Sequence, residues 1–133
     1  LIVPLDIGVA AFVKALSIAS VKTCHSCDGH DDQDPEIELL NEIHYRWFDY
    51  LVSNFFQKHH VFTDMKIHRE KGNYGGILLT FRARSQQNRL DVFEDLFQAS
   101  HLIRSDWGIG EIARLKQEFL QNKRLLDRVK RRS

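Results

Sequence analysis

Residues 41–57, NEIHYRWFDYLVSNFFQ, carry apolar side chains at Ile43, Trp47, Tyr50, Leu51 and Phe55. Steps of three and four place all five on one side of a helix, and Asn41 stands where a side-chain oxygen would cap the first turn. Ile7, Ala10, Ala11, Val13, Leu16 and Ile18 show the same periodicity earlier in the chain, with Asp6 as the expected cap. Pro4 demotes the opening run LIVPL to an edge strand or a lead-in. Residues 21–25 and 37–40 read as strands flanking an acidic loop that Pro35 closes. Further on, VFTDMKIHRE alternates, with Met65 and Ile67 on one face, and pairs with GILLTFRA across KGNYGG. That is a hairpin pattern in which Gly72, Gly75 and Gly76 supply positive φ. Leu90, Phe93, Leu96 and Phe97 predict a third helix over 89–99, SDWGIGE breaks it, and a fourth helix starts near Gly110.

The order is helix-strand-strand twice over, followed by two helices. It predicts an α+β fold: a mixed, largely antiparallel sheet of four to five strands with helices packed on it, built as two helix-strand-strand repeats, plus a C-terminal amphipathic helix. Hairpins between helices disfavour a doubly wound nucleotide-binding sheet. The 133 residues suit a single domain over 1–133, large enough to bury roughly two thirds of its unfolded surface. The last stretch, about 109–133, carries Ile112, Leu115, Phe119, Asn122, Leu126 and Val129 in heptad-like steps with one polar core position. It is expected either to pack on the body or to protrude from it and join a partner chain.

A composition of 43% hydrophobic and 28% charged residues excludes a disordered chain. The net charge of +1 excludes a global field that draws in nucleic acid. The charge is unevenly spread, however. Asp28, Asp31, Asp32, Asp34, Glu36, Glu38 and Glu42 form an acidic run without a Lys or Arg, while the chain from Arg114 to Arg132 is strongly basic. Lys123, Arg124, Arg128, Lys130, Arg131 and Arg132 would suit RNA, other nucleic acid, or the acidic loop of a second copy, so a homo-oligomer formed through this helix is one expected assembly. Asp6 and Lys14 interrupt the apolar opening, which argues against a membrane span or a signal peptide. Two cysteines are too few for a disulfide scaffold, so a cytoplasmic location is expected.

Those cysteines lie in VKTCHSCDGH, residues 21–30. Strand alternation sends Cys24 and Cys27 to opposite faces unless the backbone turns, and Asp28-Gly29 is a turn signal. The expectation is a strand ending near His25 and a chain that curls back after Ser26, so that Cys27, Asp28 and His30 line one hollow. Cys27 would serve there as a thiolate nucleophile or ligand, His30 as acid/base or ligand, and Asp28 as orienting carboxylate. As a metal site the donors would be Cys24, Cys27, His30 and His44, with zinc the fitting ion; the motif itself supplies at most three. A redox C-x-x-C is a third reading, and a strand that simply ends in a solvated loop is the plain one. Arg82 and Arg84 share one face of a strand end and could contact a phosphate, against the ordinary alternative of solvated arginines. His59-His60 reads as a helix C-terminal pair, His68 as solvent-facing, and Trp107 as packing over the core or closing on a ligand.

The helix and strand leading into TCHSCDGH resemble a pattern in small uncharacterised bacterial and phage proteins, a helix followed by a strand ending in S-C-x-G-H. They are more distantly similar to the wybutosine-synthesising tRNA methyltransferase family, whose corresponding element ends in Ser-Cys-Ser-Gly-Arg. The matching positions are Ser26, Cys27 and Gly29, with Asp28 in place of Ser and His30 in place of Arg. The resemblance covers about a quarter of the chain and implies S-adenosylmethionine chemistry on a tRNA base, with Ser26 and Gly29 at a ligand or RNA site. The His30 departure removes the bidentate fork that Arg would offer a phosphate or carboxylate.

Overall fold

The computed structural model describes the backbone of residues 4–27, 34–84 and 89–132, and side chains within 9–26, 34–84 and 91–123. Its elements run α1 (Pro4–Ile18), β1 (Thr23–Cys27), β2 (Glu36–Leu39), α2 (Glu42–Leu51), β3 (Met65–Lys71), β4 (Ile77–Ala83), α3 (Arg89–Arg104) and α4 (Asp106–Arg132). The fold is α+β, with two successive helix-strand-strand units followed by two helices.

The four strands form one sheet in the order β1-β2-β4-β3, and every pairing is antiparallel. Each unit contributes one hairpin, and the hairpins meet through their second strands, Ile37 opposite Leu79. β1 and β3 are therefore left as edges. One face carries Ile37, Leu39, Leu79 and Phe81, all buried beneath the helices. Phe12 of α1 and Phe48 of α2 approach Phe81 edge-on at 6.0 and 6.4 Å, a geometry that aromatic quadrupoles favour. Val92, Leu96 and Ala99 of α3, then Ile112 and Leu115 of α4, complete the same hydrophobic cluster.

Asn41 caps α2, its Oδ1 accepting the His44 backbone N–H at 3.1 Å. The helix does not stop at Leu51; it widens into a π turn over Val52–Phe56 and tightens into a 3₁₀ turn over Gln57–His59. His60 and Phe62 then adopt left-handed backbones, φ 61° and 63°. Phe62 is a bulky residue in a region that costs about 1–2 kcal/mol for L-residues. Its ring is buried against Phe56 at 5.1 Å, and its N–H donates to the Asp95 carboxylate at 3.2 Å.

Three boundaries differ from the pattern-based expectation. Pro4 and Leu5 belong to α1 rather than to an edge strand, because proline is well suited to a first helical turn, where its missing N–H is not needed. β1 continues through Ser26 and Cys27, paired with Ile37 and Glu36, so the chain stays extended past the expected end of the strand. α3 runs to Arg104 and α4 begins at Asp106, the break shrinking to Ser105. Ser105 Oγ accepts the Gly108 N–H at 2.9 Å as an N-cap. Gly108 itself lies inside α4, where a Cβ would collide with the Leu102 carbonyl. Its glycine serves close helix approach, not helix breaking. Among the described residues no helix is long and apolar enough to cross a membrane.

Candidate functional site

Outer-face residues of β2 should be solvated, yet Glu38 is only 1% exposed. The KGNYGG turn folds over it. The Gly76 N–H donates to Glu38 Oε2 at 2.8 Å and the Tyr74 N–H at 3.0 Å, and the Cys24 thiol donates to the same oxygen at 3.4 Å. Cβ atoms on Gly72 or Gly76 would strike the Glu38 side chain, and one on Gly76 would also strike the Leu39 carbonyl. The two glycines are thus required for close approach rather than for positive φ, which only Gly75 shows, at 87°. Burial pushes the Glu38 pKa up, but the Gly76 and Tyr74 N–H groups, the Cys24 thiol and nearby His25 outweigh it, and the carboxyl lies below its ordinary value.

A β-bulge brings Cys24 to this carboxylate. The register passes from Thr23 opposite Leu39 to His25 opposite Glu38, so Cys24 and His25 together stand against one residue. His25 stacks on Tyr74 at 4.8 Å. Burial raises the Cys24 pKa, and its hydrogen bond to the Glu38 carboxylate raises it further, so the sulfur is a protonated donor rather than a thiolate. The surrounding open cleft, about 340 Å³, is lined by His25, Glu36, Glu38, Glu70, Lys71 and Tyr74 among others.

Of the residues singled out from the sequence, Asp28, Gly29, His30 and the Cys27 side chain lie outside the described residues, and the proposed hollow lies with them. Ser26 is exposed on β1. Because β1 is extended from Cys24 to Cys27, three residue steps separate their Cα atoms by about 10 Å, beyond the roughly 7 Å a disulfide spans. His44 Nδ1 accepts the Lys22 backbone N–H at 3.1 Å, away from Cys24, and desolvation together with the Lys22 charge lowers its pKa. Cys24 and His44 therefore engage different partners, and among the described residues no three His, Cys, Asp or Glu side chains converge to hold a metal ion. Arg82 pairs with Asp34 at 3.6 Å, while Arg84 is exposed just past the end of β4. Trp107 stacks on Phe55 at 5.8 Å and meets His59 edge-on, so it packs on the π turn with about half its surface exposed.

A second feature lies at the other end of the β1–β2 hairpin. α1 ends with Ser20 in a left-handed conformation, φ 67°, while the Val21 N–H reaches back to the Leu16 carbonyl at 2.8 Å. Lys116 of α4 donates to Ser20 Oγ at 3.0 Å, and Phe119 packs on Trp47 and Tyr50 at 5.4 and 5.6 Å. Between α1, α2 and α4 a groove of about 340 Å³ remains, floored by Trp47, Phe119, Leu120 and Ile43 and edged by Lys22, His44 and Lys116. Ile43 and nearby Leu40 are 48% and 43% exposed. No carboxylate is among the groove's lining residues. Sequence periodicity assigned Ile43 and Phe119 to buried seams; their partial exposure follows from how α4 crosses α2, which periodicity does not encode.

No family model, curated protein or solved structure matches the chain. The likeness to tRNA-modifying enzymes therefore rests on Ser26, Cys27 and Gly29 alone.

Proposed function

We propose that the protein is a non-catalytic interaction module that self-assembles through α4, its apolar and basic groove receiving the acidic segment of a second copy. One observation carries this reading: the groove under α4 is largely apolar, edged by Lys22 and Lys116, and has no carboxylate among its lining residues.

Asp28, Asp31 and Asp32 of a second copy supply the charge opposite to Lys22 and Lys116. Nucleic acid suits the basic residues from Lys123 onward equally well, but the exposed Ile43 and Leu40 beside the groove offer it neither charge nor a stacking face. The groove favours protein.

Sedimentation equilibrium tests the reading. The wild type is expected to dimerise with concentration at about 0.05 M salt and to dissociate at about 1 M, where the screening length falls to about 3 Å. Lys22→Glu with Lys116→Glu should weaken the association at least tenfold. A chain that stays monomeric at every concentration in low salt, or one that binds RNA as a monomer, overturns it.

A further inference from the structure

The groove under α4 is polarised. Lys116 Nζ donates to Ser20 Oγ at 3.0 Å and the Lys22 backbone N–H donates to His44 Nδ1 at 3.1 Å, so these four residues gather where α1 gives way to β1. Ile43 and Trp47 of α2, with Phe119 and Leu120 of α4, make the apolar remainder. Trp47 adds only carbon to it, because its indole N–H is taken by the Ala19 carbonyl at 2.7 Å. All four rim side chains offer donors. Nδ1 of His44 is already an acceptor, so the neutral ring carries its proton on Nε2, and Ser20 Oγ, accepting from Lys116, keeps its own hydrogen. Among the described residues none of the four pairs with a carboxylate. We infer that the groove is the site of a small amphipathic monocarboxylate, an apolar chain ending in one carboxylate, and that this ligand competes with the second copy.

The binding stands on the groove alone, whereas the competition rests on the self-assembly reading. The rim sets the sign of the ligand: a carboxylate accepts from Ser20 and His44 while the Lys22 and Lys116 ammonium groups oppose its charge. The floor sets the rest of it. A bare phosphate or acetate would leave Ile43, Phe119 and Leu120 in water, whereas an apolar tail covers them, and Ile43 alone is 48% exposed. The rim holds no arginine, and so no planar fork that would favour a phosphate. At about 340 Å³ the groove stands at the low end of the about 300–1,000 Å³ usual for small-molecule sites, which suits roughly a dozen heavy atoms rather than a whole lipid.

The probe is 4-phenylbutyrate, and 4-phenylbutylamine is the control with the same tail and the opposite charge. Proton–nitrogen correlation spectra should show saturable shifts at the Lys22 amide and the Trp47 indole N–H, with a dissociation constant of about 1 mM or tighter, and none with the amine. Lys22→Glu with Lys116→Glu should weaken binding at least tenfold. So should Ile43→Asp, which sets a carboxylate in the groove at an exposed position and should leave the thermal transition unchanged. In sedimentation equilibrium, saturating 4-phenylbutyrate should convert the wild-type dimer to monomer where equal sodium chloride does not. No shift at these atoms at about 10 mM probe, ten times the weakest affinity expected, or equal shifts with the amine, overturns the inference and leaves the assembly reading intact. A dimer that persists with the probe bound denies the competition. A monomeric wild type that binds the probe defeats the assembly reading and upholds the site.

Discussion

Gly72 has no room for a side chain because the Glu38 carboxyl group occupies the space where its Cβ would stand. A residue of one hairpin thereby holds the turn of the other, and the outer face of the sheet acquires a buried anion where alternation alone would put a solvated one. Backbone N–H groups satisfy that anion, which is what makes its burial tolerable.

Removing this fit should unfold the turn before the core. Gly76→Ala forces a methyl group into the Leu39 carbonyl and is expected to cost about 1–3 kcal/mol in urea denaturation, the usual scale of overpacking. Gly75→Ala meets no neighbouring atom and should cost only its left-handed strain. Full wild-type stability in Gly76→Ala would show that the turn does not approach β2 this closely.

The pH dependence has a definite sign at two carboxyls. Glu38 has a folded pKa below its unfolded one, so the folded state binds its proton less readily; its stabilisation is present above the ordinary glutamate range and is lost as pH falls through the folded value. Glu38→Gln should flatten the acid limb of a thermal-stability profile. Asp95 is the reverse. Burial raises its pKa, the Phe62 N–H lowers it, and Asp64, Glu94 and Asp91 raise it again, so folding is disfavoured as pH rises past the ordinary aspartate range. Asp95→Asn, which keeps an acceptor for Phe62, should exceed the wild type in melting temperature at pH ~7 and lose that advantage in acid. Asp95→Ala leaves the Phe62 N–H without its partner and should fall below Asp95→Asn by about 1–3 kcal/mol.

Cys24 should react slowly. Its thiol donates to a carboxylate and its pKa is raised, so peptide-resolved iodoacetamide labelling at neutral pH is expected to lag behind free cysteine. Glu38→Gln should accelerate it. Labelling as fast as free cysteine in the wild type would mean the Cys24–Glu38 hydrogen bond is not made in solution.

His60→Gly should stabilise the protein by about 1 kcal/mol, since the exposed imidazole occupies a left-handed position that its side chain does nothing to hold. Phe62→Gly should destabilise it despite an equally positive φ, because the ring fills the core between Phe12, Phe56 and Phe81. Guanidinium titrations of the two variants decide it: a gain at both positions would deny the packing role of Phe62.

The sequence by itself determined the order of elements, the Asn41 cap and the shared face of Met65 and Ile67, because these follow from periods of two and of three to four that act over a few residues. It also marked Cys24 and His44 as unusual. Tertiary structure alone decided what surrounds them, as a single bulged residue in β1 turned Cys24 toward Glu38 and a crossing of α4 over α2 left Ile43 half uncovered. Glu38 looked like one more member of an acidic run. Its burial depends on a turn 34 or more residues away, Gly72 to Gly76, and contacts between distant segments leave no period in the chain that encodes them.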